Sequence, residues 1–119
     1  MLEKLEIQEN RYKELEQLLS DPKIIDQREL WQNYSRELAS LMELVELYRK
    51  YKLVCQELHD CRQMIAETDD REMTAFLEQE LKDLTARQEK LEETLTEMLI
   101  PEDPSDRKSV FIEIRAGTG

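Results

Sequence analysis

The residues able to do chemistry are scattered along the middle of the chain. Cys55 and His59 are four apart, so on a helix they share one face as two metal ligands would. A structural zinc site wants four ligands, and only Cys61 and carboxylates are left to complete it. The same shortage argues against a Cys-His nucleophile. Glu92-Glu93 and Asp69-Asp70 pair carboxylates, but with 28 acidic residues any spacing arises by chance. General acid-base work also needs a pocket that shifts pKa values, so these pairs read as solvating charge. Tyr48-Arg49-Lys50-Tyr51-Lys52 is the only basic cluster with interleaved aromatics, which makes it the best candidate for touching RNA. The competing reading is a solvated helix face with Tyr48 in the seam. Gly117-x-Gly119 after a strand has the opening of a dinucleotide loop without its third glycine or its helix. Trp31 reads as a packed anchor, and Met42, Met64, Met73 and Met98 read as core filling.

The elements that must position these residues are helices. From Asp26 to Glu67 there is no Gly or Pro, and apolar residues recur at Tyr34, Leu38, Leu41, Val45, Tyr48, Cys55, Leu58 and Ile65. Steps of three and four are the period of one helical face lying against a partner. One helix over this stretch would run roughly 60 Å, which implies an elongated fold. Asp26, with Glu29 three residues on, is expected to cap it as a capping box. Before it, residues 1 to 19 carry Leu5, Tyr12, Leu15 and Leu19 on one face, and Asp21 followed by Pro22 signals a short turn through Ile24 and Ile25. After it, Asp69 with Glu72 is expected to cap a third helix with the seam Met73, Leu77, Leu81, Leu84, Leu91, Leu95 and Met98, interrupted by Gln88 and stopped by Pro101. Short connections make consecutive helices antiparallel neighbours. The expected fold is all-α: an elongated antiparallel three-helix bundle or coiled coil over residues 1 to 100. The first helix would lie beside the first half of the long one and the third beside its second half.

Residues 101 to 108 have linker composition, with two prolines and nothing apolar. In 109 to 119 the period changes to two: Val110, Ile112 and Ile114 alternate with Phe111, Glu113 and Arg115, then the chain's two glycines follow. This stretch reads as a β-strand stub opening a truncated second domain.

Composition narrows the partners. A formal charge of -11 leaves no basic surface for duplex DNA. Cys55 and Cys61, six apart on one helix, face different ways and cannot bridge. Free thiols fit a reducing cytosol. The charge alternation of residues 1 to 10 is not that of a signal peptide, and no apolar run approaches a membrane span. No cofactor is indicated.

Leu99-Ile100-Pro101-Glu102-Asp103-Pro104 followed by Phe111-Ile112-Glu113-Ile114-Arg115-Ala116-Gly117-Thr118-Gly119 resembles bacterial class-I peptide chain release factors, at the join between their N-terminal helical and central domains. Tyr34-Ser35-Arg36-Glu37-Leu38-Ala39 is similar to the same family. Arg115, Ala116, Gly117, Thr118 and Gly119 resemble the UAA/UAG-reading type more than its UAA/UGA-reading relative. The resemblance implies a cytoplasmic protein of translation termination, and a docking arm that reaches the GTPase-associated region of the large ribosomal subunit and the class-II release-factor GTPase. It transfers no residue-level contact; Arg49, Lys50 and Lys52 are candidate ribosome contacts because they form the basic cluster with interleaved aromatics. The family's Pro-x-Thr codon-reading tripeptide and Gly-Gly-Gln hydrolysis loop are not among these residues, so the stretch is expected to be non-enzymatic. The alternative is an autonomous antiparallel coiled-coil scaffold that dimerises through unpaired seam.

Overall fold

The computed structural model describes residues 1 to 99, and all of their regular structure is helical. Four helices follow in order: α1 Leu2–Leu19, α2 Pro22–Ile25, α3 Arg28–Glu67 and α4 Arg71–Leu99. The all-α expectation holds for these residues. The linker at 101 to 108 and the strand stub at 109 to 119 lie outside the described residues. Where the sequence suggests one three-helix bundle, the chain groups into two compact units, Met1–Arg49 and a second that begins at Lys50.

The helix ends follow local chemistry, with two corrections. Asp21 caps α2 as expected: its Oδ1 accepts from the Lys23 N–H at 2.9 Å, with Pro22 at the first helical position. Asp26 does not cap the long helix. Its N–H donates to the Pro22 carbonyl at 3.1 Å, closing α2, and the Gln27 N–H donates to Ile24 O at 2.9 Å. The first bond of α3 runs from Trp31 N to Gln27 O at 2.9 Å, so the helix starts one residue later than the capping-box pattern suggests. At α4 the cap is Asp70 rather than Asp69. Asp70 Oδ1 accepts from the Glu72 N–H at 2.9 Å and weakly from the Met73 N–H at 3.4 Å, while the Asp70 N–H is held by Thr68 Oγ1 at 3.2 Å. Thr68 sets which of the two aspartates faces the orphan N–H groups.

In the first unit α1 lies against the early part of α3. Leu5, Leu15, Leu44, Val45 and Tyr48 are its buried apolar residues. The contact is also laced with polar bonds: Tyr48 Oη donates to Glu6 Oε2 at 2.6 Å, and Trp31 Nε1 donates to the Leu19 carbonyl at 3.2 Å. That indole bond satisfies one of the orphan carbonyls at the end of α1, but Trp31 is 38% exposed, so it is tied through its N–H rather than packed as the sequence suggests.

In the second unit α4 runs antiparallel to the later part of α3. Val54, Leu58, Cys61, Leu77 and Leu84 form the buried cluster, flanked by Ile65, Leu81 and Leu91. Each fully buried Leu contributes about 1.5–3 kcal/mol of transfer free energy. Three contacts fix the register: Tyr51 to Glu92, Cys55 to Gln88, and Cys61 to Leu77. Gln88, the polar break in the α4 seam, is matched there, because its amide donates to Cys55 Sγ at 3.3 Å. Met42, Met64 and Met73 are exposed rather than core-filling. In the second unit Val54, Leu58 and Cys61 of α3 and Leu77 and Leu84 of α4 take the contact faces, so Met64 and Met73 fall to the side.

Candidate functional site

The basic stretch at residues 48 to 52 lies within α3, where a regular helix turns consecutive side chains to different faces. Both tyrosines are buried, at 5% exposure for Tyr48 and 8% for Tyr51. Neither ring is presented for base stacking. Tyr48 fills the seam with α1, as one reading of the sequence has it. Tyr51 faces α4 and donates to Glu92 Oε2 at 2.9 Å. Burial, and after it this bond to a carboxylate, holds the Tyr51 phenol above the ordinary 10.0, so it stays neutral well into alkaline solution.

Arg49 belongs to the first unit and is already engaged. Its Nε donates to Glu9 Oε2 at 2.9 Å, and its guanidinium carbon stands 5.5 Å from the centre of the Tyr12 ring. Glu9 is 3% exposed, the one buried charged residue among those described. The hydrogen bond to Glu9 raises the Arg49 pKa further above its ordinary value. Arg49 thus serves a buried carboxylate, which would be costly to leave alone. Lys50 and Lys52, in the second unit, are both exposed.

A second guanidinium repeats the arrangement in the first unit. Arg11 grips Glu37 with two nitrogens, Nε to Oε2 at 2.6 Å and Nη2 to Oε1 at 2.8 Å, and donates from Nη1 to Glu14 at 2.7 Å. It also stands 5.7 Å from the Tyr34 ring centre. The paired bond from Arg11 lowers the Glu37 pKa below the usual carboxylate value. Sequence reading missed both ties. Glu9 carried a signal, since it follows Leu5 by four residues and interrupts the apolar stripe that continues at Tyr12 and Leu15. The Arg11–Glu37 pairing had none, because with 17 basic and 28 acidic residues many pairings are equivalent in sequence.

The thiols are free and apart in role. Cys61 is buried and donates to the Leu77 carbonyl at 3.3 Å, and half-buried Cys55 accepts from Gln88. His59 is exposed, and among the described residues no group of three or more His, Cys, Asp or Glu side chains converges as a metal centre would require. No helix among these residues is long and apolar enough to cross a membrane. Glu92 belongs to the Tyr51 bond. Glu93, Asp69 and Asp70 are exposed, with Asp70 employed as a cap. The signature residues Arg115, Ala116, Gly117, Thr118 and Gly119 lie outside the described residues. The described residues thus present polar ties that hold the helices, and exposed lysines.

Comparison with known proteins supplies the family. The PCRF domain matches residues 8 to 119. The chain belongs to the PCRF domain family. It is similar over all 119 residues to proteins named peptide chain release factor 1: 44% identical to that of Desulforudis audaxviator (strain MP104C), and 43% to those of Clostridium botulinum (strain Hall) and Staphylococcus aureus (strain JH9). The whole chain is covered in each case, against 34%, 33% and 33% of the relative. The PCRF-family chain therefore spans about one third of the length of these curated relatives. No solved structure matches it.

Proposed function

We propose that these residues are the helical docking arm of a peptide chain release factor that acts in translation termination in the cytoplasm at UAA and UAG codons. The observation that carries the reading is the similarity to release factor 1 over every one of the 119 residues. Codon choice rests on the resemblance of Arg115, Ala116, Gly117, Thr118 and Gly119 to the UAA/UAG-reading type. The arm does no chemistry of its own: neither a Pro-x-Thr tripeptide nor a Gly-Gly-Gln loop is among its residues. Its partners are the GTPase-associated region of the large ribosomal subunit and the class-II release-factor GTPase. Within the 48–52 stretch Lys50 and Lys52 are the exposed lysines proposed for that contact, whereas Arg49 is tied to Glu9.

A chimera tests this. These 119 residues replace their aligned counterpart in the Staphylococcus aureus relative, and peptide release is measured on ribosomes programmed with UAA, UAG or UGA. Release at UAA and UAG within about tenfold of the parent rate, or ~1.4 kcal/mol in barrier, is the expected result. A chimera that is folded but does not associate with ribosomes would sink the docking role. Reversal of Lys50 and Lys52 to Glu should weaken ribosome association without unfolding the arm.

A further inference from the structure

The second unit carries an apolar corner that its own core does not use. Met64 is 49% exposed, Met73 43% and Phe76 63%. Their offsets place them together. Cys61 and Leu77 meet across the α3–α4 contact, where Cys61 Sγ donates to Leu77 O at 3.3 Å. At about 100° per residue, Met64 is displaced roughly 60° round α3 from Cys61, and Met73 and Phe76 roughly 40° and 100° round α4 from Leu77. In an antiparallel pair these displacements fall on the same side. The three side chains therefore share the corner beside the turn at Thr68 to Asp70.

One turn inward along the same side come Glu57, Asp60, Glu80 and Asp83, all exposed. Asp60 accepts only from Gln56 Nε2 at 3.0 Å and Asp83 only from Gln79 Nε2 at 3.4 Å. Among the described residues none of the four is in an ion pair. An exposed apolar cluster backed by uncompensated negative charge selects its occupant. Phosphate backbones are disfavoured, because the four carboxylates stand beside the apolar cluster and the nearest exposed cation on this side, Arg87, lies one turn beyond Asp83. A second copy docking by the same face would bring like charges together. A protein segment with apolar side chains flanked by Lys or Arg satisfies both halves of the surface, and a Met-rich apolar edge is adaptable enough to accept a helix.

We propose that Met64, Met73 and Phe76, with Glu57, Asp60, Glu80 and Asp83 beside them, form a docking surface for a basic amphipathic protein helix. The inference rests on this geometry and is independent of the termination reading.

The five methionines supply the assay. The whole chain, labelled at its methionine methyl groups, is titrated with a synthetic Lys/Leu amphipathic helical peptide. The Met64 and Met73 signals should move together and saturate while Met1, Met42 and Met98 stay still. Phe76→Ser, at a mostly exposed position that leaves the fold intact, should weaken binding about tenfold. Glu57→Gln combined with Glu80→Gln should flatten its salt dependence. Equal movement of all five signals, unchanged affinity in F76S, or equal binding of a Glu/Leu peptide overturns the proposal. So do shifts at Met64 and Met73 that grow with protein concentration alone, which name a second copy as occupant, or the same shifts produced by duplex RNA.

Discussion

The two units solve the same problem, one helix against another, with different forces. In the second unit the contact is an apolar zip of Val54, Leu58, Cys61, Leu77 and Leu84, and its polar bonds are few and internal. In the first unit α1 is held by buried Leu5 and Leu15 together with two guanidinium clasps, Arg11 on Glu37 and Arg49 on Glu9, each beside a tyrosine ring. Apolar burial is non-directional and tolerant of salt and pH, whereas charged pairs fix register and are screened when exposed. The difference should be visible in how each unit fails.

The largest effect is expected at Leu58, 1% exposed in the zip. Leu58→Ala should cost about 2–5 kcal/mol through lost transfer energy and the cavity it leaves, read as a lower urea midpoint at constant slope. A loss well under 1 kcal/mol would mean that the zip does not hold the second unit. Next comes the Arg49–Glu9 pair of the first unit, whose carboxylate is buried and whose guanidinium side chain is 43% exposed. Arg49→Gln should cost about 1–3 kcal/mol by leaving Glu9 a buried carboxylate with a poorer partner, and adding Glu9→Leu should restore most of that. A double variant no better than the single would show that Arg49 acts through its packing on Tyr12 rather than through the charge.

The alkaline limb sharpens the comparison from the other side. Tyr51 holds its proton more tightly folded than unfolded, so its contribution is complete below the ordinary 10.0 and is lost as pH rises through the higher folded value. Wild-type protein should weaken above pH 10 more steeply than Tyr51→Phe, as followed by helicity against pH. The smallest effect belongs to Arg11 and Glu37. The Glu37 pKa is depressed in the folded state, so its contribution is present above the unfolded carboxylate value and fades as pH falls through the folded one. The carboxylate is 39% exposed, so solvent screens most of the pair. Glu37→Gln should shift the acid midpoint slightly and reduce its salt dependence. Identical curves would assign the hold on α1 to Leu5, Leu15 and Glu9.

The corrections share one cause. Asp21-Pro22 was legible as a cap because the proline leaves a single register, but Asp26 and Asp69 each had a neighbour able to take the role. Gln27 takes it through its carbonyl, and Asp70 takes it once Thr68 turns it toward the helix start. The same ambiguity runs along α3. The apolar period predicts Val45, Tyr48 and Leu58 as seam, and they are buried; Tyr51, Val54 and Cys61 are buried as well, because each unit has its own helix opposite α3.

Sequence by itself determined the helices, the turn between α3 and α4, the freedom of the thiols and, through its closing residues, the family. Those depend on periodicity, on proline and aspartate placement, and on local spacing, all of which act within a few residues. Only the tertiary structure decided that Glu9 is buried, that Arg49 is spent on it, that both tyrosines of the basic stretch face inward, and that Met64, Met73 and Phe76 are left outside. Each of those depends on which helix lies opposite, and in a chain that is 38% charged, composition offers many equivalent partners while packing selects one.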